Sequence, residues 1–151
     1  MVQEFQHIIR IANTDLVGNK AILYGMKKIK GVDVMIANAA CSLAGVDKTK
    51  KAGNLSSAEA ERLTNVLQNL VKSGVPEWML NRRKNPETGE ESHLIGPELQ
   101  FAKDNDIKKL KKTKSYRGLR LQWGLPVRGQ RTKSNFRKNK GKGSLGVKRK
   151  K

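Results

Sequence analysis

The residues best suited to chemistry lie late in the chain, in the run Gly124-Leu125-Pro126-Val127-Arg128-Gly129-Gln130-Arg131-Thr132-Lys133. A guanidinium offers a planar fork of donors that matches a phosphate, and glycine lets the backbone approach one closely. Just upstream, Tyr116 and Trp123 are interleaved with Arg117 and Arg120, and downstream Phe136 adjoins Arg137. Aromatic faces stack on bases while cations between them hold phosphates. Lys138, Lys140, Lys142 and the cluster Lys148-Arg149-Lys150-Lys151 add further positive charge. A smaller basic group, Lys48, Lys50 and Lys51, sits in the stretch 46–54.

The charge is divided unevenly along the chain. Of 151 residues, 32 are Lys or Arg and 13 Asp or Glu, a net charge of +19. Residues 1–106 hold 14 basic and 13 acidic side chains, whereas 107–151 hold 18 basic and none acidic. A solvated face ordinarily mixes both signs. Eighteen cations without an anion repel one another and require a polyanion to hold them. A membrane-surface helix would also need an apolar stripe, which 126–151 lacks, so the expected partner is nucleic acid and not a membrane.

Other chemistries lack their parts. Cys41 is the single cysteine and His7 and His93 the only histidines, too few to compose a Cys-based zinc site or to suggest a nucleophile with its base. The carboxylates show no paired arrangement, so no enzyme, metal or cofactor is expected. Gly141-Lys142-Gly143-Ser144-Leu145-Gly146 matches a dinucleotide-binding pattern in letters only. That pattern needs a preceding strand and a following helix, and here it sits in a basic tail. No run approaches the roughly 18 apolar residues of a membrane span. Glu4 and His7 interrupt any signal-peptide pattern, so a soluble, intracellular protein is expected.

These side chains need a scaffold. Residues 1–106 can bury a modest core, whereas the cation-rich remainder is too self-repelling to fold alone. The expected architecture is a mainly α domain over 1–112 and an extended basic tail over 113–151, disordered unless a nucleic-acid partner orders it. Phe5, His7, Ile8, Ile9 and Ile11 alternate loosely, as in a short strand or extended lead-in. Thr14-Asp15 offers a cap before a helix over 19–29, with Ile22, Leu23, Met26 and Ile29 at helical spacing. Gly31 breaks that helix, Asp33 caps a second over 34–44, and Gly45 ends it. Ala37, Ala39, Ala40, Cys41 and Ala44 let this second helix pack tightly, as in a helical hairpin.

Ser56-Ser57-Ala58-Glu59 reads as a capping box. The helix after it sets Leu63, Val66, Leu67, Leu70 and Val71 on one stripe, with Gly74 as its stop. Pro76 opens a short helix through Trp78 and Leu80, and 85–89 reads as a turn. Pro97 begins a last helix over 98–112, and beyond Tyr116 the periodicity fades.

The segment Tyr116-Arg117-Gly118-Leu119-Arg120, followed by 124–133, resembles the signature of the universal family of small-subunit ribosomal protein thirteen. Asp15-Leu16, Gly18-Asn19-Lys20, the helical turn around Gly31 and Ala44-Gly45-Val46-Asp47 resemble its domain core. The insertion over 75–84, with Trp78 and Arg82-Arg83-Lys84, resembles the archaeal and eukaryotic branch. The resemblance covers nearly the whole chain. It implies a helix-two-turns-helix domain with additional helices in the head of the small ribosomal subunit, in the cytoplasm, bound to small-subunit rRNA. It also implies a neighbour in ribosomal protein nineteen, bridges to ribosomal protein five and rRNA of the large subunit, and a tail reaching toward tRNA.

The contact set expected for rRNA or tRNA is Lys48, Lys50, Lys51, Arg117, Arg120, Trp123, Arg128, Gln130, Arg131, Thr132, Lys133, Arg137, Lys138, Lys140, Lys142, Lys148, Arg149, Lys150 and Lys151. Two departures from the family pattern bear on it. Asp33 follows Gly31-Val32 where the family usually has a second glycine, and its carboxylate would repel a phosphate, so capping is its expected role. Leu121 replaces a histidine common after the Arg-Gly-Leu-Arg run. A DNA-repair glycosylase shares the helix-two-turns-helix element but needs a catalytic N-terminal proline or internal base, and often a zinc finger; Val2 and the lone cysteine argue against it. A sequence-indifferent architectural protein is the remaining rival, and sedimentation with the small subunit separates the two.

Overall fold

The computed structural model describes residues 5–134. Ile8–Ile11 (β1) and Thr14–Val17 (β2) form an antiparallel hairpin in which Ile9 faces Leu16 and Ile11 faces Thr14. Its turn, Ala12-Asn13, takes left-handed backbone angles (φ 44° and 59°), which suit the twist of a two-residue hairpin loop. Thr14-Asp15 therefore opens a strand and is not a helix cap. The helix expected over 19–29 is correspondingly short: Ile22–Gly25 (α1), continued by a 3-10 turn at Met26–Lys28. The cause is where the backbone bonds of 18–22 go. Gly18 accepts from Gly53 N–H (3.0 Å), Lys20 accepts from Ala52 N–H (2.9 Å), and Ile22 N–H donates to Lys50 (2.9 Å).

Val34–Ala44 (α2) has the expected bounds. Gly45, at φ 66°, ends it, and Val46 N–H reaches back to the Cys41 carbonyl (3.0 Å), closing the last turn. Buried Ala37, Ala40, Cys41 and Ala44 let α2 pack against α1 and against Ser57–Gln68 (α3). The capping box is present at the start of α3: Glu59 N–H donates to Ser56 Oγ (3.2 Å) and Ser56 N–H to Glu59 Oε2 (2.8 Å). Leu63, Leu67 and Leu70 are buried as expected, but Val71 is exposed. Asn69 leaves helical geometry at φ −123°, well before Gly74, so the α3 stripe does not continue to Val71. Ile9, Ile11, Leu16, Ile22, Met26 and Ile29 complete the core, and among the described residues no polar or charged side chain is buried.

Pro76 precedes a 3-10 turn, Glu77–Met79. Residues 82 and 92 then bridge, and Gly89 N–H closes on the Asn85 carbonyl (2.7 Å), so 85–89 is a turn. Gly96–Lys112 (α4) carries Pro97 in its first turn. The chain divides into two compact units, the first ending at Phe101 and the second beginning at Ala102.

The tail read as extended from 113 opens instead with a helix, Tyr116–Gln122 (α5). Ser115 Oγ accepts from Gly118 N–H (3.1 Å) and donates to the Leu110 carbonyl (3.2 Å). Gly118 is buried so tightly that a Cβ there would overlap the Leu110 carbonyl oxygen. Close backbone contact, not an apolar stripe, fixes this helix, which is why periodicity did not show it. Residues 135–151, including the glycine pattern at 141–146, lie outside the described residues.

Candidate nucleic-acid interface

In the second unit, α5 and the segment after it gather eight of the expected contacts. Arg117 is exposed, Trp123, just past the last helical residue, is 56% exposed, and Tyr116 at the other end of α5 is exposed too. Gly124 (φ 68°) turns the chain, and Leu125 N–H returns to the Arg120 carbonyl (2.9 Å). Arg120 Nε then donates to the Pro126 carbonyl (3.0 Å). Arg120 thus acts as a brace that folds 124–126 back on α5, a bond that uses Nε and not the terminal nitrogens of its fork. Gln130 Oε1 accepts from Arg128 N–H (3.1 Å) around Gly129 (φ 76°), so its carbonyl shapes the turn that presents Arg128. Arg128, Arg131, Thr132 and Lys133 are exposed. From 107 to 134 there are ten cations and no carboxylate. Arg137, Lys138, Lys140, Lys142, Lys148, Arg149, Lys150 and Lys151 lie outside the described residues.

The 46–54 group, in the first unit, is less uniform than its sequence suggests. Asp47 accepts both the Thr49 N–H (3.0 Å) and its hydroxyl (2.9 Å), forming a local turn, and these bonds hold its carboxyl below the usual range. Lys50 is committed: its ammonium lies 2.8 Å from Glu59 Oε2 and 3.0 Å from Oε1, with both side chains largely covered. That ammonium, then the Ser56 backbone N–H, holds the Glu59 carboxyl below its ordinary value. Lys51 is exposed and Lys48 half-buried.

The Gly31-Val32-Asp33 turn is covered by the chain itself. The Gly31 carbonyl accepts from His93 Nε2 (3.0 Å), and Gly96 N–H donates to the Lys30 carbonyl (2.8 Å). Asn81 N–H donates to His93 Nδ1 (3.3 Å), so the imidazole carries its proton on Nε2, and burial pulls its pKa down. Gly31 is at φ 94°, and a Cβ there would come within 2.5 Å of the Leu94 carbonyl. Asp33 occupies the N-cap position, but its side chain does not make the expected capping bond to the amides beyond Val34. Its carboxylate lies 3.2 Å from Lys27 Nζ, and the Val34 N–H and that ammonium keep its pKa low. Burial pushes the Cys41 thiol up, which leaves it inert, and no cluster suited to a metal occurs among the described residues.

One basic cluster went unnoticed in the sequence: Lys20, Lys27 and Lys28 around exposed Tyr24. The signal was available, since 20, 24, 27 and 28 fall at helical spacing.

A near-neutral, mainly helical unit joined to a cation-only segment with exposed aromatics defines a class of protein made to hold a polyanion. Comparison with known proteins makes this specific. Residues 10–138 match the family model described as ribosomal protein S13/S18, and the chain belongs to that family. It is 46% identical over 151 residues to the small ribosomal subunit protein uS13 of Methanothermobacter thermautotrophicus, covering 100% of this chain and 99% of that one. It is 46% identical over 149 residues to the protein of the same name from Methanopyrus kandleri, covering 97% of each. The Nanoarchaeum equitans protein of that name is 44% identical over 144 residues, covering 95% of this chain and 92% of that one. Membership makes the chain a structural, non-enzymatic ribosomal protein.

Proposed function

We propose that this chain is a structural component of the small ribosomal subunit in the cytoplasm, binding small-subunit rRNA in the head. The observation that carries the reading is end-to-end similarity to proteins named for that subunit, joined to a segment of ten cations and no carboxylate over 107–134. Arg117, Arg128 and Arg131 pair with phosphates, Trp123 stacks on a base, and Arg120, Gln130, Thr132 and Lys133 hold the local path against RNA. In the first unit Lys48 and Lys51 contact RNA, and Lys50 contributes chiefly through Glu59. The protein neighbours ribosomal protein nineteen, bridges to ribosomal protein five and rRNA of the large subunit, and directs the end of its tail, through Lys148-Arg149-Lys150-Lys151, toward tRNA.

The first test is sedimentation of cell extract in high salt. The chain is expected to travel with the small subunit; release into the soluble fraction with intact subunits refutes the reading. A second test separates the parts. Deleting 134–151 should leave the protein in purified small subunits and speed tRNA dissociation, whereas deletion from 117 should impair incorporation. Blocked incorporation with the short deletion, or unchanged tRNA release across a range of salt, overturns this division of labour.

A further inference from the structure

We propose that the first unit carries its own pocket for one unpaired RNA nucleotide, built around Tyr24; the inference deepens the rRNA-binding reading and rests on it. A cleft of about 450 Å³ is lined by Val17, Lys20, Tyr24, Gly25, Lys27 and Lys28. Its size is that of a small-ligand site. Three of the six lining residues carry an ammonium and none is acidic, in a unit whose overall charge is close to balanced.

Tyr24 is 60% exposed, so its ring is not being used to fill the core. Exposed Val17, from β2, gives the cleft an apolar side. The backbone beneath is fixed: Lys20 accepts from Ala52 N–H (2.9 Å), and Tyr24 and Gly25 N–H both donate to Ala21 (3.0 and 2.8 Å). The cations are placed yet not exhausted. Lys28 Nζ gives one donor to the Asp15 carbonyl (2.7 Å) and keeps two. Lys27 meets Asp33 at 3.2 Å in a solvent-exposed pair, which is weak and leaves donors for a phosphate.

An aromatic face ringed by cations matches the alternation of base and phosphate in unpaired RNA. A continuous duplex presents phosphates but no free base face, so it would leave Tyr24 idle. The occupant is therefore a bulged or looped-out nucleotide, its base on Tyr24 and its flanking phosphates on Lys20, Lys27 and Lys28.

The test uses the full-length chain and two RNA hairpins with the same stem, one fully paired and one with a single bulged adenosine. The wild-type protein should prefer the bulged hairpin. Tyr24→Ala should weaken that complex about fivefold or more, as loss of one base stack does, and leave the paired hairpin unaffected. Tyr24→Phe should restore the preference, which a general loss of folding or charge would not allow. In parallel, assembled small subunits are irradiated with ultraviolet light and digested with trypsin and nuclease. The peptide 21–27 should carry a nucleotide. No preference for the bulge, equal loss with Tyr24→Phe, or cross-linking of 21–27 to a protein overturns the pocket. If 116–133 cross-links to RNA and 21–27 does not, the pocket is wrong while the ribosomal reading stands. If the chain is absent from small subunits, that reading falls, and the hairpin measurement still decides whether Tyr24 receives a base.

Discussion

Replacing Gly118 by alanine should destabilise α5, although glycine to alanine inside a helix ordinarily stabilises by about 1 kcal/mol. The sign reverses because of what the added methyl meets. Besides overlapping the Leu110 carbonyl oxygen, it would lie 2.5 Å from the Leu110 carbonyl carbon and 3.0 Å from Lys111 N, all backbone atoms that no rotamer change can move. Restoring an ordinary separation of about 3.5 Å requires α5 to retreat by roughly 1–1.5 Å. That movement pulls on the Ser115 bonds to Gly118 N–H and to the Leu110 carbonyl. Overpacking costs about 1–3 kcal/mol and each loosened bond about 1 kcal/mol. Subtracting the propensity gain leaves a net loss of at least about 2 kcal/mol, roughly thirtyfold or more in the opening equilibrium of α5. A seven-residue helix cannot survive undocked, so its amides should exchange faster together. Hydrogen exchange followed by mass spectrometry reads this directly, with Gln122→Ala as an exposed control on the same helix. Unchanged or greater protection of α5 in Gly118→Ala would refute the argument that backbone contact positions this helix.

Three further outcomes are expected. Glu59 is held below its ordinary 4.5 first by Lys50 and then by the Ser56 N–H, so the stability it contributes is fully present above that value and is lost as pH falls through the lower folded pKa; Glu59→Gln should flatten that acid limb in thermal melts, and an unaltered limb would contradict the pairing. Gly31→Ala should lower the melting temperature, because the residue is at φ 94° and its Cβ would strike the Leu94 carbonyl; a shift of several degrees reflects a cost of about 1–3 kcal/mol, and no shift would mean that the 93–96 segment moves freely. Arg128→Lys and Arg131→Lys should each weaken rRNA-fragment binding by about 1 kcal/mol or more at constant charge, and equal affinity in filter binding would show that they act as point charges.

What was legible in the sequence was local. The capping box at Ser56 and Glu59, Gly45 after α2, and Pro97 inside α4 act within a few residues of themselves, and each sits where its pattern put it. The errors concern contacts between distant segments. Thr14-Asp15 has the letters of a cap, yet Ala12-Asn13 turns the chain back and the pair joins β2; alanine in a left-handed turn gives no warning. The first helix is short because residues 18–22 bond to 50–53, a pairing that periodicity does not encode. α5 was hidden because its third residue, Gly118, is a poor helix former that permits close approach to Leu110. The same holds for the interface. The sign of the charge over 107–134 could be read residue by residue, but Lys50 looked free until α3 brought Glu59 against it.

The wholly apolar interior has a consequence for how such a protein can diverge. Among the described residues no charged or polar side chain is buried, so the apolar contacts that form the core of the first unit do not share atoms with the groups that would hold RNA. Salt screens the second and leaves the first intact. Lineages living in different intracellular salinities can therefore exchange surface lysines for arginines, or alter their number, without redesigning the core. Drift in the core can likewise proceed without retuning affinity. The two sets of positions form separate evolutionary modules, joined at few places, such as Lys50, whose ammonium pairs with Glu59 in the fold and stands among the expected RNA contacts.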